Sequence, residues 1–444
     1  MNRVTIYGAG LAGSEAALQL ADFGIKVRLV DCKPYLMSPA HHSNDFAEIV
    51  CSNSFKSKEI TSAGGLFKAE LNALGCKLLR VAEENSVNAG GALAVDREKF
   101  SKQVTFLLKN HPNITIESYE AEDFLAEEMN IVATGPLTTS KFAQAIKREC
   151  GDFLYFFDAA APIVTSESID MTNAFCDDRY QKGEGDYINC PMDKEEFEAF
   201  HSALINAQTA EVKDFEKNAI FEGCMPIEVM AKRGVDTIRF GPLKPVGLID
   251  PRTQRRPYAV VQLRKENTHG DMYNLVGFQT HLTFGEQKRV FSMIPALRNA
   301  EFVKYGVMHK NLFIDSPKLL NDDFSLKTKN NVYFAGQIVG VEGYVESIAS
   351  GFVVAQNCFR KLKNLTKMDF GVYTILGNLM RYVVAQNENF QPMNANFGLL
   401  PLIETAIRDK KLKKQAYADR AISEIKIIAQ KNQQEVSDIN GTGQ

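Results

Sequence analysis

The chain opens on Val4-Thr5-Ile6-Tyr7-Gly8-Ala9-Gly10-Leu11-Ala12-Gly13, followed by Ser14-Glu15-Ala16-Ala17-Leu18. An apolar strand-like run enters a glycine-rich turn and leaves it as a helix. Gly8 permits the tight turn, Gly10 lets the backbone approach a pyrophosphate, and Gly13 lets the helix lie close to its strand. The helix start then offers unpaired N–H groups to phosphate oxygens. A second strand, Lys26-Val27-Arg28-Leu29-Val30, ends at Asp31. That is about the spacing at which an acid meets the ribose hydroxyls of a dinucleotide. Strand, glycine turn, helix and distant acid together predict a nucleotide-binding α/β domain, with Gly8, Gly10, Leu11, Ala12, Gly13 and Asp31 on the ligand.

A chain of 444 residues is long enough for two or three lobes around a large core. Its hydrophobic content of 45% and charged content of 24% are ordinary globular values. A formal net charge of −3 gives no general attraction to nucleic acid, so any RNA contact has to come from a local patch. No apolar run approaches membrane-span length, and the strand begins at once, so no signal peptide is expected. The 8 cysteines are dispersed without a CxxC pair. That argues against a zinc site or a disulfide scaffold, predicts no metal, and fits a reducing cytoplasm.

Residues 33–65 read as a long polar loop containing Pro34, Pro39, His41, His42 and Cys51. Loops of that length inside a compact domain are usually functional. Helical periodicity returns over Leu66–Arg80. Ala89–Arg97 reads as a turn and strand leading into a helix at Glu98–Lys109. Asn130–Pro136 reads as a buried strand ending in a small-residue turn. From about 156 the texture changes to alternating runs, Ala161–Ser166, Ala259–Leu263 and Asn274–Gln279, with a helix at Asp193–Ala207. These predict an antiparallel sheet with a few helices. Asn331–Gly336 returns to a parallel-type strand, followed by Gly340, Gly343 and a helix carrying Ser347, Ser350 and Gly351. The expected division is a nucleotide-binding domain in two parts, 1–155 and 305–444, with an α+β domain inserted at 156–304. The tail from about 364 is expected to be mostly helical, fraying over Glu435–Gln444.

NAD, FAD and S-adenosylmethionine all fit a glycine turn with an acid downstream. Three features favour FAD. The motif is at the extreme N-terminus. A later strand ends in Ala133-Thr134-Gly135, and Tyr333-Phe334-Ala335-Gly336-Gln337 runs into a glycine-rich helix start. Both belong to a flavin domain of the glutathione-reductase type, by analogy of fold. Thr134, Gly135, Gly336 and Gly351 therefore join the candidate cofactor residues. The expected fold is α/β: a glutathione-reductase-type FAD-binding Rossmann domain with an inserted α+β domain and a helical C-terminal tail.

Longer motifs carry a resemblance over nearly the whole chain. They are Gly8–Ala17, Phe46-Ala-Glu-Ile-Val-Cys-Ser-Asn-Ser54, Gly90-Gly-Ala-Leu-Ala-Val-Asp-Arg97 and Asn189-Cys-Pro-Met192. They continue through Gly241-Pro-Leu-Lys-Pro-Val-Gly-Leu-Ile-Asp-Pro-Arg252, Tyr305-Gly-Val-Met-His309 and Gly340-Val-Glu-Gly-Tyr-Val-Glu-Ser347. The chain resembles the folate- and FAD-dependent tRNA (uracil-5-)-methyltransferase family. A related flavin family that modifies the tRNA wobble uridine carries a long additional helical domain, for which this chain is too short.

The resemblance implies formation of 5-methyluridine in RNA. A thiolate adding at uracil carbon 6 makes carbon 5 nucleophilic. The carbon comes from methylenetetrahydrofolate, the hydride from reduced FAD, and NAD(P)H restores the flavin. Such chemistry needs a reactive thiol, a group to move the carbon-5 proton, a flavin site and a folate site. Cys224, in Phe221-Glu-Gly-Cys-Met-Pro226, matches the family's uracil-attacking cysteine. Cys51 matches a second essential cysteine that helps remove the carbon-5 proton. Tyr344 matches an aromatic residue that shields the flavin adduct, and His281, in Phe278-Gln-Thr-His-Leu282, resembles one that stacks on the folate pterin. Taken without the resemblance, each Cys reads more readily as a small core residue than as a nucleophile.

Contact with RNA is expected from Arg408–Lys414, where Lys410, Lys411, Lys413 and Lys414 cluster, and from Arg252 with Arg255 and Arg256. A solvated helix face is the bland alternative for the lysines. The T-loop uridine of tRNA is the family's usual target, with a 23S ribosomal RNA uridine as the alternative. Two other classes fit parts of the pattern: an NAD(P)H-dependent flavin oxidoreductase acting on a small molecule, and a non-catalytic RNA-binding flavoprotein. Neither needs both Cys51 and Cys224.

Overall fold

The computed structural model describes residues 3–38, 40–126, 128–181, 184–210, 225–404 and 407–441. Its first sheet has five parallel strands in the order Val332–Phe334, Met129–Val132, Arg3–Tyr7, Lys26–Asp31 and Ile114–Ser118. The strand that feeds the glycine turn is central, with Val4, Ile6 and Tyr7 buried, as a strand covered on both faces requires. All five strands point the same way. Their C-terminal ends, and the crevice outside them, therefore lie on one side of the sheet.

The helix Leu11–Asp22 buries every residue from Ala12 to Ala21. It lies against the 19-residue helix Tyr344–Leu362 at backbone contact. A Cβ on Gly351 would stand 2.2 Å from the Ala12 carbonyl oxygen, and one on Gly13 would stand 1.9 Å from the Gly8 carbonyl oxygen. Small side chains on both helices, Ala12, Ala16 and Gly351 among them, let two segments more than three hundred residues apart in sequence meet without a gap. Two buried carboxylates tie further helices to this layer. Glu15 accepts the N–H groups of Lys77 and Leu78 at 3.0 and 2.8 Å. Glu70 accepts those of Ile375 and Leu376 at 2.9 and 2.8 Å. Each carboxylate sits at the start of a helix, where the dipole favours negative charge. Burial nevertheless pushes the Glu70 carboxyl up to about 8.

A second sheet has six strands, all antiparallel: Phe175–Cys176, Tyr187–Met192, Ala259–Lys265, Met272–Leu275, Ile163–Thr165 and Phe302–Lys304. Its own core includes Val164, Phe197, Phe200, Phe278 and Phe291. The helix Lys194–Ile205 covers it, started by a capping box in which Asp193 and Glu196 each accept the other's backbone N–H. An antiparallel ribbon of Leu154–Ala159 and Met308–Phe313 carries the chain out to this sheet and back. A small sheet of Ser54–Ser57, Ala92–Val95 and Ser86–Val87 stands beside the long polar loop.

Three sequence expectations are corrected. The helix expected at Leu66–Arg80 is two helices, Ala63–Ala73 and Lys77–Glu84, because Gly75 turns the chain at φ 85°. The strand expected to reach Gln279 stops at Leu275, where Gly277 with φ 78° ends the pairing. The tail stays helical through Lys410–Gly441 rather than fraying from Glu435, whose carboxylate pairs with the buried Arg360 at 2.5 Å.

The Gly351 contact makes a direct forecast. Gly351→Ala forces a methyl group into the Ala12 carbonyl and should cost about 1–3 kcal/mol. A lower urea denaturation midpoint with an unchanged slope, the shift multiplied by that slope giving the loss, is the expected result.

Candidate active site

A cavity of about 440 Å³ opens along the C-terminal ends of the parallel strands. Its wall includes Gly8, Gly10, Leu11, Ala12, Asp31, Thr134, Gly135 and Gly336, so eight of the expected cofactor residues come together there. Gly13 and Gly351 are not on the wall. They pack behind it, against Gly8 and Ala12. Gly8 has φ 97°, and a Cβ there would stand 2.6 Å from the Ala133 carbonyl oxygen, so the turn admits glycine alone. At Gly10 a Cβ would meet nothing within 4 Å, which leaves that backbone open to the cavity. The helix behind it carries no side-chain cap. Its first N–H groups therefore face the same space unclaimed by the usual Ser, Thr, Asp or Asn. Asp31 braces the turn: Oδ2 accepts the Ala9 N–H at 2.7 Å and Oδ1 accepts the Lys33 N–H at 2.9 Å.

Sequence reasoning missed much of the wall contributed by the polar loop. Lys33 and Glu48 form a buried ion pair at 3.0 Å, and both line the cavity with Ser38 and His41. Burial, followed by the Lys33 charge, lowers the His41 imidazole below its ordinary range. The unusual length of the loop was the available signal, without specifying which side chains turn inward.

A second cavity of about 220 Å³ adjoins the first and shares Val50, Pro136, Leu137, Gln337, Tyr344 and Ser347 with it. Beyond the shared residues its wall carries the polar side chains of Cys51, Ser52, Ser54, Lys56, Gln279, Asn311, Glu342 and Asn394. Cys51 and Tyr344 meet at the junction, where the Cys51 N–H donates to Tyr344 Oη at 2.8 Å. The ring of Tyr344 lies 5.6 Å from that of Phe55. The loop around Cys51 is tied to the antiparallel sheet through Arg264, which donates to Asn53 Oδ1 at 2.9 Å and Ser52 Oγ at 2.7 Å. Cys51 on the second cavity and Tyr344 on both, carried by separate elements, thus flank the place where the cavities join.

Cys224 lies outside the described residues. Downstream of it, the Ile227 N–H donates to the Gln279 carbonyl at 2.8 Å, and Gln279 lines the second cavity. Glu228, buried, accepts the Thr280 hydroxyl at 2.8 Å and the His281 backbone N–H at 3.0 Å. Its Oε1 also stands 2.8 Å from His281 Nδ1, an electrostatic contact without hydrogen-bond alignment. His281 itself is two residues from Gln279 but is on neither cavity wall.

The basic residues divide. The donors of Arg252, an exposed residue, are taken within the chain: it pairs with Asp250 through Nε at 3.0 Å and Nη2 at 2.7 Å, and Nη1 donates to the Thr172 carbonyl at 2.6 Å. Lys410, Lys411, Lys413 and Lys414 are exposed in the first turn of the last helix, whose end is capped by Asp409 accepting from Lys411 and Leu412 at 2.8 Å. Among the described residues none of the four has an ion-pair partner. Four cations at a helix N-terminus oppose its dipole, so helix stability does not account for them.

Comparisons with known proteins agree with this architecture. The family described as glucose inhibited division protein A matches residues 3–366. The protein named methylenetetrahydrofolate--tRNA-(uracil-5-)-methyltransferase TrmFO of Listeria monocytogenes serotype 4b (strain F2365) is 52% identical over 429 residues, 96% of this chain and 99% of the relative. Proteins of the same name from Desulfitobacterium hafniense (strain Y51) and Acetivibrio thermocellus are each 53% identical, over 96% and 95% of this chain and 98% of each relative. Among solved structures, Aquifex aeolicus GidA in its form II crystal superposes with a TM-score of 0.69 at 14% identity, covering 97% of this chain and 73% of that one. The chain belongs to the glucose inhibited division protein A family, in the branch represented by the methylenetetrahydrofolate--tRNA-(uracil-5-)-methyltransferases.

Proposed function

We propose that this protein forms 5-methyluridine in tRNA, taking the carbon from methylenetetrahydrofolate and using FAD reduced by NAD(P)H. The observation that carries this proposal is the placement of Cys51 and Tyr344, 2.8 Å apart through the Cys51 N–H, where the glycine-turn cavity meets a second cavity. A small-molecule flavin oxidoreductase has no use for a thiol held there.

The first cavity fits FAD. The open backbone at Gly10, the uncapped helix start and Asp31 at the strand end suit a pyrophosphate and an adenosine ribose. When bound, FAD supplies the hydride and carries the one-carbon unit. The chain's own residues would do the rest. Cys224 would add to uracil carbon 6, raising electron density at carbon 5. Cys51 would accept the carbon-5 proton on its sulfur. Tyr344 would hold the Cys51 backbone and close the wall between the cavities, and His281 would meet the pterin. In the expected division, residues 1–155 and 305–444 hold the cofactor and residues 156–304 bring Cys224 and His281 to it. The four lysines Lys410, Lys411, Lys413 and Lys414 would take RNA phosphates, a role that their position against the helix dipole supports. The target is proposed as the T-loop uridine, and the enzyme as cytoplasmic. Among the described residues no helix is long and apolar enough to cross a membrane.

Four outcomes test this. Cys224→Ala should abolish methyl transfer while the protein stays yellow and releases FAD on denaturation. Cys51→Ala should lose turnover and still trap RNA covalently through Cys224, read as a band shifted on a denaturing gel. Nucleoside analysis after incubation with labelled methylenetetrahydrofolate, NAD(P)H and tRNA should place label in 5-methyluridine, whereas labelled S-adenosylmethionine alone should place none. Neutralising Lys410, Lys411, Lys413 and Lys414 together should weaken tRNA binding and flatten its salt dependence, with about 0.7–0.9 lost from the log–log slope per phosphate contact removed. NAD(P)H-driven flavin reduction without RNA should be unaffected in that variant.

A further inference from the structure

Three consecutive carbonyls of the loop that carries Cys51 are held by cations. Arg97 donates through Nη1 to the Ile49 oxygen at 2.9 Å and through Nη2 to the Cys51 oxygen at 2.7 Å. Lys304 Nζ donates to the Val50 oxygen between them at 3.3 Å. The Cys51 N–H is held by Tyr344. Both backbone groups of Cys51 are therefore fixed, in a segment whose lack of regular pairing would otherwise leave it free to shift.

Neutral donors could have satisfied those carbonyls at lower desolvation cost. The charges around the sulfur show what two cations add. Glu266 faces the loop, but its charge is taken by Arg97 at 2.5 Å. Glu48 is taken by Lys33 at 3.0 Å and the buried Glu346 by Lys56 at 2.8 Å, while Glu342, on the second cavity's wall with Cys51, accepts the Gln337 side-chain amide. Lys304 has no carboxylate within ion-pair distance among the described residues. Burial, and next the charge of Arg97, push its ammonium below the usual range, while the neighbouring Cys51 acts in the opposite direction. A negative sulfur would relieve the repulsion between these two cations. It is also what the chemistry requires, since a group that accepts a proton has to begin without one.

We propose that Lys304 and Arg97 are positioning residues for Cys51: they fix its loop from beneath and supply the positive field that keeps the sulfur a thiolate, ready to accept the carbon-5 proton. Lys304 supplies a charge with no ion-pair partner among the described residues, and Arg97 the rigid fork that a lysine cannot reproduce. The proposal rests on Cys51 being a working thiol, but its test needs neither folate nor RNA.

The full-length protein as purified is treated with iodoacetamide over a range of pH, and alkylation of the Cys51 peptide is followed by mass spectrometry. The carbon–sulfur bond forms as iodide leaves, at a rate set by the thiolate fraction. Lys304→Met, which keeps the aliphatic stem and loses the charge, should slow alkylation at pH 7 by about fivefold or more. It should move the midpoint of the rate profile upward and rejoin the wild-type rate in strong alkali. Lys304→Arg should restore the wild-type profile. Superimposable profiles for Lys304→Met and wild type would overturn the proposal. So would a rate lowered equally at every pH, because that reports altered access and not altered charge. Should Cys51→Ala methylate RNA normally while these profiles shift as expected, the proposed function would fail and the cationic cradle would stand.

Discussion

The backbone contact between Gly351 and the Ala12 carbonyl joins the two ends of the nucleotide-binding layer, and the rest of the site depends on it. The helix Leu11–Asp22 delivers the glycine turn, and the helix Tyr344–Leu362 delivers Tyr344 and Ser347 at its start. One added methyl group at position 351 would push these walls apart. The same approach brings the strand Val332–Phe334 to the sheet edge beside Met129–Val132, so that Thr134, Gly135 and Gly336 face one cavity. Dispersion falls off steeply with separation, so such a contact is formed in full or largely lost.

A second constraint acts across the layers. The Cys51 loop is held by Tyr344 from the C-terminal helix, by Arg97 from the helix Arg97–Asn110, by Lys304 from a strand of the antiparallel sheet, and by Arg264 through Asn53 and Ser52. Four elements converge on a few loop residues. Loops that position reactive groups are typically supported in this way by a rigid scaffold. The result is a cysteine with fixed backbone placement on the wall of the second cavity, beside the Tyr344 that both cavities share.

The electrostatics of the molecule divide along similar lines. Its net charge of −3 gives no general pull on a polyanion, while four lysines with no ion-pair partner among the described residues stand together at one helix N-terminus. Arg252, by contrast, is bound to Asp250 by two hydrogen bonds. Equal formal charges in the sequence thus have unequal availability, and only the partners found in the fold separate them.

The sequence by itself determined the strand–turn–helix at residues 4–22, the return to a parallel strand near 332, and the change of texture between 156 and 304. Each is a local pattern, in which glycine, strand period and helix period act over a few residues. The quoted motifs also carried the family. What only the tertiary structure decided was how distant residues are spent. Gly351, expected at the cofactor, became a packing position, because its neighbour across the helix pair is the backbone of Ala12. Lys33 and Glu48 turned inward from a loop without periodicity, and Arg97 and Lys304 met beneath Cys51. No local rule fixes such meetings. They follow from closing a chain of hundreds of residues into one packing, in which each buried polar group takes whichever partner the fold brings near.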